Sequence, residues 1–285
     1  SGAGKYERLR RYDPWTTINS KKLPTKITEY VAKTEVTSFQ DTPEVCEYVE
    51  SYWRKVRTIV FSYETSSNLY PDATERDLVA IDVETNLSNS DTLTSLARTV
   101  FKYHESTATG GAQHQLRAVI EPDTVREFLI TENITLSDIL TTPIDGIGGL
   151  KNYGPSARNY LNTEYEYYLS THGVSRYRLR KRVVWRGSGS CGCSGSNGGI
   201  FWYQYDFVNP PPTNYDVWQT HAIVKKGIIE ASPIYAYFDY NFYGKKLVQA
   251  LVDPLNQSRM QIKRWQYSTT TGYLSGKYFP SACIS

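Results

Sequence analysis

The sequence is short of the residues that specialised chemistry uses. It holds one methionine (Met260), four cysteines and four histidines in 285 residues. No stretch approaches the roughly 18 uncharged apolar residues that a membrane-crossing helix needs. Glycine shows no three-residue period and no long heptad run occurs, which excludes collagen-like and coiled-coil architectures. The motifs H-E-x-x-H, G-x-S-x-G and H-x-E…C-x-x-C are missing, as are the phosphate-cradling loop and the dinucleotide fingerprint.

Cys46, Cys191, Cys193 and Cys283 are sparse for a secreted disulfide scaffold. Ordinary thiols or a disulfide are expected. Cys191 and Cys193 form C-x-C, and zinc there would need further ligands, for which Cys46, Cys283 or His172 are the candidates. No metal and no cofactor is expected. The histidines, His104, His114, His172 and His221, are scattered and lack a neighbouring Cys or Ser in a catalytic arrangement. Asp82 with Glu84, and Glu230 with Asp239, offer carboxylate pairs of the kind a glycosidase uses. A chain with 29 acidic residues supplies such pairs by chance. No catalytic residue is assigned, and the expectation is of a non-enzyme.

What the chain has in quantity is aromatic side chains: 24 Tyr, 9 Phe and 6 Trp. That content, with 40% hydrophobic and 21% charged residues, excludes a solvated disordered chain. At about 150 residues per domain the length fits one large or two ordinary domains. The start Ser1-Gly2-Ala3-Gly4, without an initiator Met or a signal-peptide pattern, reads as a processed product or as residues added in front.

Charge divides along the chain. Residues 173–285 carry 14 basic and 5 acidic residues, net +9, and residues 1–172 carry 18 and 24, net −6. Halves of opposite charge attract, within one molecule or between copies. Three regions are expected: a basic-aromatic arm over 1–26, a helix-rich acidic region over 27–172, and a basic region of antiparallel strands over 173–285. The fold class is read as α+β, helices first and strands second.

Helices are expected from 43 to between 55 and 63, where Val45, Tyr48, Val49, Tyr52, Val56 and Ile59 recur at helical spacing. Others are expected after Ser90, with Leu93, Leu96, Ala97, Val100 and Phe101 on one face, after Pro122, over 136–140, and after Pro155 with Tyr160, Leu161, Tyr165, Tyr168 and Leu169. Strands are expected near 27–35, over 78–84 and over 115–121. After Gly173 the period becomes two, giving strands at 175–186, 200–208, 217–225, 234–243, 245–252 and 261–268. The Gly/Ser-rich stretch 187–199 reads as a hairpin tip.

Two features stand out as contact surfaces. In a strand, Arg176, Arg178, Arg180 and Arg182 would line one side about 7 Å apart, a row that needs anions: carboxylates of the same chain, a neighbouring subunit or phosphate. Trp202, Tyr203, Tyr205, Trp218, Tyr235 and Tyr237 are the candidate aromatic contact surface. The arm, the hairpin tip and the opposed charges make a structural or interaction protein the expectation, a homo-oligomeric subunit of a large assembly such as a virion capsid or tail. Its partners would be copies of itself or other subunits, its place the virion or the extracellular space, with no membrane span. An extracellular glycan-binding module or glycoside-acting enzyme is the alternative, and a nucleic-acid-binding protein using the arginine row the further one.

Overall fold

Alternating β-branched and aromatic residues favour extended chain, because such side chains pack well on a pleated surface. They set this architecture. The structure is a computed structural model that describes residues 8–12, 15–18, 20–32, 53–65, 73–85, 94–106, 110–185, 199–253, 255–256 and 258–279. Strands take 51% of the chain and helices 9%. The expected α+β fold with a helix-rich first part is therefore corrected: the protein is mostly antiparallel β-sheet from its N-terminal side onward.

The described residues divide into two compact units. The first takes residues up to 105 together with 113–162, and the second takes 106–112 with the chain from 163 onward.

The first unit is built on strands β1 (Arg8–Tyr12), β4 (Lys26–Ala32), β5 (Trp53–Tyr63), β6 (Leu78–Thr85), β7 (Thr94–Tyr103) and β8 (Leu116–Ile120), hydrogen-bonded in that order, every pair antiparallel. A separate hairpin pairs β2 (Trp15–Ile18) with β3 (Lys21–Pro24). Part of the expected basic arm is thus sheet: Arg10 and Arg11 lie in β1, and Arg10 binds Glu29 of β4 at 2.8 Å. Two helices follow, α1 (Pro122–Glu132) and α2 (Leu136–Thr141). Pro122 suits the first turn, where its missing N–H is no loss. Asn133 in the left-handed conformation ends α1. Thr135 and Asp138 form a reciprocal cap on α2.

The core of this unit joins Ala80, Val100, Ala118 and Ile120 to Val125, Phe128, Ile139 and Tyr160, all essentially without solvent contact. Register puts Ala80, Val100 and Ile120 on one face, and α1 packs against β7. Phe128 meets the rings of Tyr153 and Tyr160 edge-on at 4.7 and 4.6 Å. Lys102 is buried among them, and its ammonium donates to the carbonyls of Leu140 and Thr142 at 2.7 and 2.9 Å.

Three expected helices are corrected. The described part of 43–63 is the strand β5, and Leu96, Ala97, Val100 and Phe101 belong to β7. After Pro155 the chain turns and enters the strand Thr163–Tyr167. In the first two cases apolar residues fall on both faces of a strand, so they also match helical spacing over a few residues. Pairing with neighbouring strands decides the outcome. The remainder of the first two expected helices, residues 43–52 and 91–93, lies outside the described residues, as do 186–198 and all four cysteines.

The second unit is one antiparallel sheet of eight strands in sequence order: β9 (Thr163–Tyr167), β10 (Leu179–Val184), β11 (Gly199–Phe207), β12 (Trp218–Lys226), β13 (Ile234–Asn241), β14 (Lys246–Val252), β15 (Met260–Tyr267) and β16 (Leu274–Tyr278). Its described residues include a single 3₁₀ turn, Gly173–Ser175, and no α-helix. Among its described residues there is no α-helix to cover either face, although Tyr168 and Arg178 lie against Tyr205.

Candidate functional site

Residues opposite one another in an antiparallel pair share a face, and neighbours along a strand alternate. Applied across the second sheet, the register sorts its charges. One face carries Arg182, Phe201, Tyr203, Tyr205, Lys226, Phe238, Lys246, Lys263, Trp265 and Lys277. The four carboxylates that the strands possess, Glu164, Glu166, Asp206 and Asp239, all register on the other face. We call these the cationic and the carboxylate face.

On the carboxylate face, which also carries Lys225 and Arg264, several charges are paired within the unit. Lys181 binds Glu166 at 2.8 Å and Arg180 approaches Glu230 at 3.4 Å. His221 and Asp239, opposite each other on β12 and β13, share a short hydrogen bond, with the ring of Tyr237 stacked 5.5 Å from the imidazole. Trp202 lies under Lys181 and Arg180 at 5.1 and 5.9 Å and donates its indole N–H to the Gly227 carbonyl at 3.2 Å.

On the cationic face the positive groups sit over rings instead. Arg178 lies 4.8 Å from the centre of Phe207 and 5.6 Å from that of Tyr205. Arg182 lies 5.5 Å from Phe201. Lys226 stands 5.6 Å from both Phe201 and Tyr235. Lys246 reaches Phe238 and Trp265 at 5.4 Å each, and Lys277 reaches Trp265 and Phe279 at 5.8 and 4.9 Å. Lys263 completes the set at 5.9 Å from Phe279. Each such contact contributes about 0.5–1 kcal/mol at a partly exposed site. Among the described residues none of these six cations has a carboxylate within ion-pair distance.

A groove of about 390 Å³ opens on this face. Arg182, Phe201, Tyr203, Tyr205, Tyr235 and Phe238 are among its lining residues. Burial raises the phenol pKa of Tyr203, against an opposing pull from Arg182, and raises those of Tyr205 and Tyr240 as well. These hydroxyls remain protonated donors at neutral pH, and that of Tyr205 donates to the Leu179 carbonyl at 3.0 Å. The Nε–H of Arg182 is buried with no acceptor among the described residues.

The structure separates the expected arginine row. The strand begins at Leu179 because the 3₁₀ turn at Gly173–Ser175 and the left-handed Tyr177 (φ 62°) interrupt the chain before it. Arg176 is exposed ahead of the strand. A β-bulge between Leu179 and Lys181 then shifts the pleat, sending Arg180 toward Trp202 while Arg182 faces Phe201. Of the aromatic candidates, Tyr203 and Tyr205 lie on the cationic face, with Tyr235 beside them against Phe201 at 5.6 Å. Trp202 and Tyr237 belong to the carboxylate face, where Trp218 adjoins His221 at 5.8 Å. Trp202 and Trp265 occupy opposite faces, so the tryptophans form no single platform.

Folding also makes clusters that the sequence hides. In the first unit His114 Nδ1 lies 2.7 Å from the Thr74 hydroxyl and 3.0 Å from Asp77. Hydroxyl and carboxylate meet the same ring nitrogen, so the imidazole cannot relay a proton between them as a nucleophilic triad requires. Asp77 also accepts from the Thr74 backbone N–H at 2.8 Å, which marks the cluster as a turn lock. Asp82, weighed above with Glu84, is bound by Arg98 at 2.5 and 2.7 Å. Among the described residues no group of three or more His, Cys, Asp or Glu converges as metal ligands do, and no helix is long and apolar enough to cross a membrane.

The rings of β11 were legible in sequence as Phe201-x-Tyr203-x-Tyr205-x-Phe207. The lysines of the same face come from four other strands, one of them, Lys226, over Phe201, and carry no joint sequence signal. No known protein-family model matches the chain, and no curated protein matches it significantly.

Proposed function

We propose that the protein is a structural subunit of a larger assembly, in the specific form of a capsid or tail component of a virion, working in the virion or outside the cell. The observation that carries this reading is the sheet of the second unit, whose two faces hold half-buried aromatic rings and whose described residues include no α-helix. Extended, partly apolar sheet surface of this kind is stabilised by removal from water. The edge strand β16 adds to it. It pairs with β15 alone among the described residues, and Leu274 and Tyr278 are exposed on it. Unpaired backbone groups along an edge are a template for a strand from a second copy.

Sedimentation of the full chain over a range of concentrations tests the reading. Concentration-dependent oligomers are expected, weakened by Leu274→Lys, which places a charge on the edge. A single-chain mass at every concentration overturns self-assembly.

A further inference from the structure

We propose that the cationic face of the second sheet binds single-stranded nucleic acid, a role that goes beyond assembly and rests on separate observations. Charge comes first. Arg178, Arg182, Lys226, Lys246, Lys263 and Lys277 share one surface, while the strand carboxylates register on the opposite one. On the carboxylate face Lys181–Glu166 and Arg180–Glu230 are paired within the unit. Among the described residues the cationic face has no such pair, and it fits an anionic partner.

The rings decide which anion. Phe201, Tyr235, Phe238, Trp265 and Phe279 alternate in space with the cations, so a ligand meets π-faces and positive charges together. Unpaired bases stack on such rings while their phosphates meet lysine and arginine, the combination used in sequence-tolerant single-strand binding. A duplex hides its base faces and could use only the charges. An acidic peptide gains nothing from the rings, and a neutral sugar gains nothing from the cations. Arg182 lines the groove and adds a guanidinium there, a group suited to phosphate oxygens.

The test is fluorescence anisotropy of a labelled oligothymidylate with the full chain, titrated with salt. Affinity should fall as salt rises, with a log–log slope of about −0.7 for each phosphate neutralised. The double substitution Lys246→Gln/Lys277→Gln should reduce that slope by about 1.4. Phe201→Leu should weaken binding by about tenfold through lost stacking, and Tyr235→Leu serves as a second variant should the first fail to fold. Lys225→Gln, on the carboxylate face, should leave binding unchanged. The proposal is overturned if no salt-sensitive binding occurs at low ionic strength, or if Lys225→Gln acts as strongly as the cationic-face variants. It is also overturned if a duplex binds as tightly as the single strand, or if polyglutamate displaces the oligonucleotide at equal charge. None of these outcomes depends on oligomeric state, which sedimentation reads separately.

Discussion

Arg180 and Arg182, two residues apart in β10, point to opposite faces of one sheet. In an undisturbed strand they would share a face. The bulge between Leu179 and Lys181 places Arg180 and Lys181 together over Trp202 and leaves Arg182 against Phe201. One extra residue in the pleat thereby assigns one guanidinium to the carboxylate face and the other to the cationic one. A strand with four aligned arginines would have concentrated like charge, whereas the bulge distributes it.

That geometry makes Trp202 the seat of two cations and of the indole bond to Gly227. Trp202→Ala should lower unfolding free energy by about 2 kcal/mol, below the range for a fully buried Trp because this ring is half-buried. Urea denaturation measures it. A loss within experimental error of zero would show that the ring only decorates the surface.

Lys102 fastens the end of α2 to β7 through the Leu140 and Thr142 carbonyls. Its ammonium also complements the negative end of the helix dipole. Lys102→Met keeps the chain length but strands buried acceptors, so a loss of about 1–3 kcal/mol is expected. An unchanged denaturation midpoint would mean that the carbonyls find other donors.

Glu29 of β4 is held by Arg57 at 2.8 Å and by Arg10 at 2.8 Å. The hydrogen bond and charge of Arg57, then the charge of Arg10, keep its carboxyl below the ordinary 4.5, against the opposing effect of burial. A lowered carboxylate pKa stabilises the fold above the unfolded-state value, and the benefit disappears as pH falls through the folded-state value. Both arginines are well exposed, so the contribution at neutral pH is about 1 kcal/mol. Glu29→Gln should cost that amount at pH 7, and the gap to the parent should close on acidification below 4.5. Thermal melts across that range check it, and a pH-independent gap refutes it.

Much of the second unit was legible in the chain. Ile200–Val208 and Val217–Lys225 alternate cleanly and are bounded by turn residues, so period two identified their strands nearly to the residue. The helices at Pro122 and Leu136 were also expected, the first from a proline in its first turn. The first sheet misled because Thr94–Tyr103 and Trp53–Tyr63 are apolar on both faces, and a short run of that kind satisfies the helical and the extended period together. Hydrogen-bonding partners distant in sequence settled the matter, as Ala80 opposite Val100 illustrates.

The sequence by itself determined a folded, aromatic-rich chain with an excess of positive charge toward its end, because composition and local alternation act within a few residues. The tertiary structure alone decided which face each charge occupies. Register and bulges fix that, since a one-residue shift turns a side chain to the other side of the sheet. The segregation of Lys226, Lys246 and Lys277 from Glu166 and Asp239 is the result.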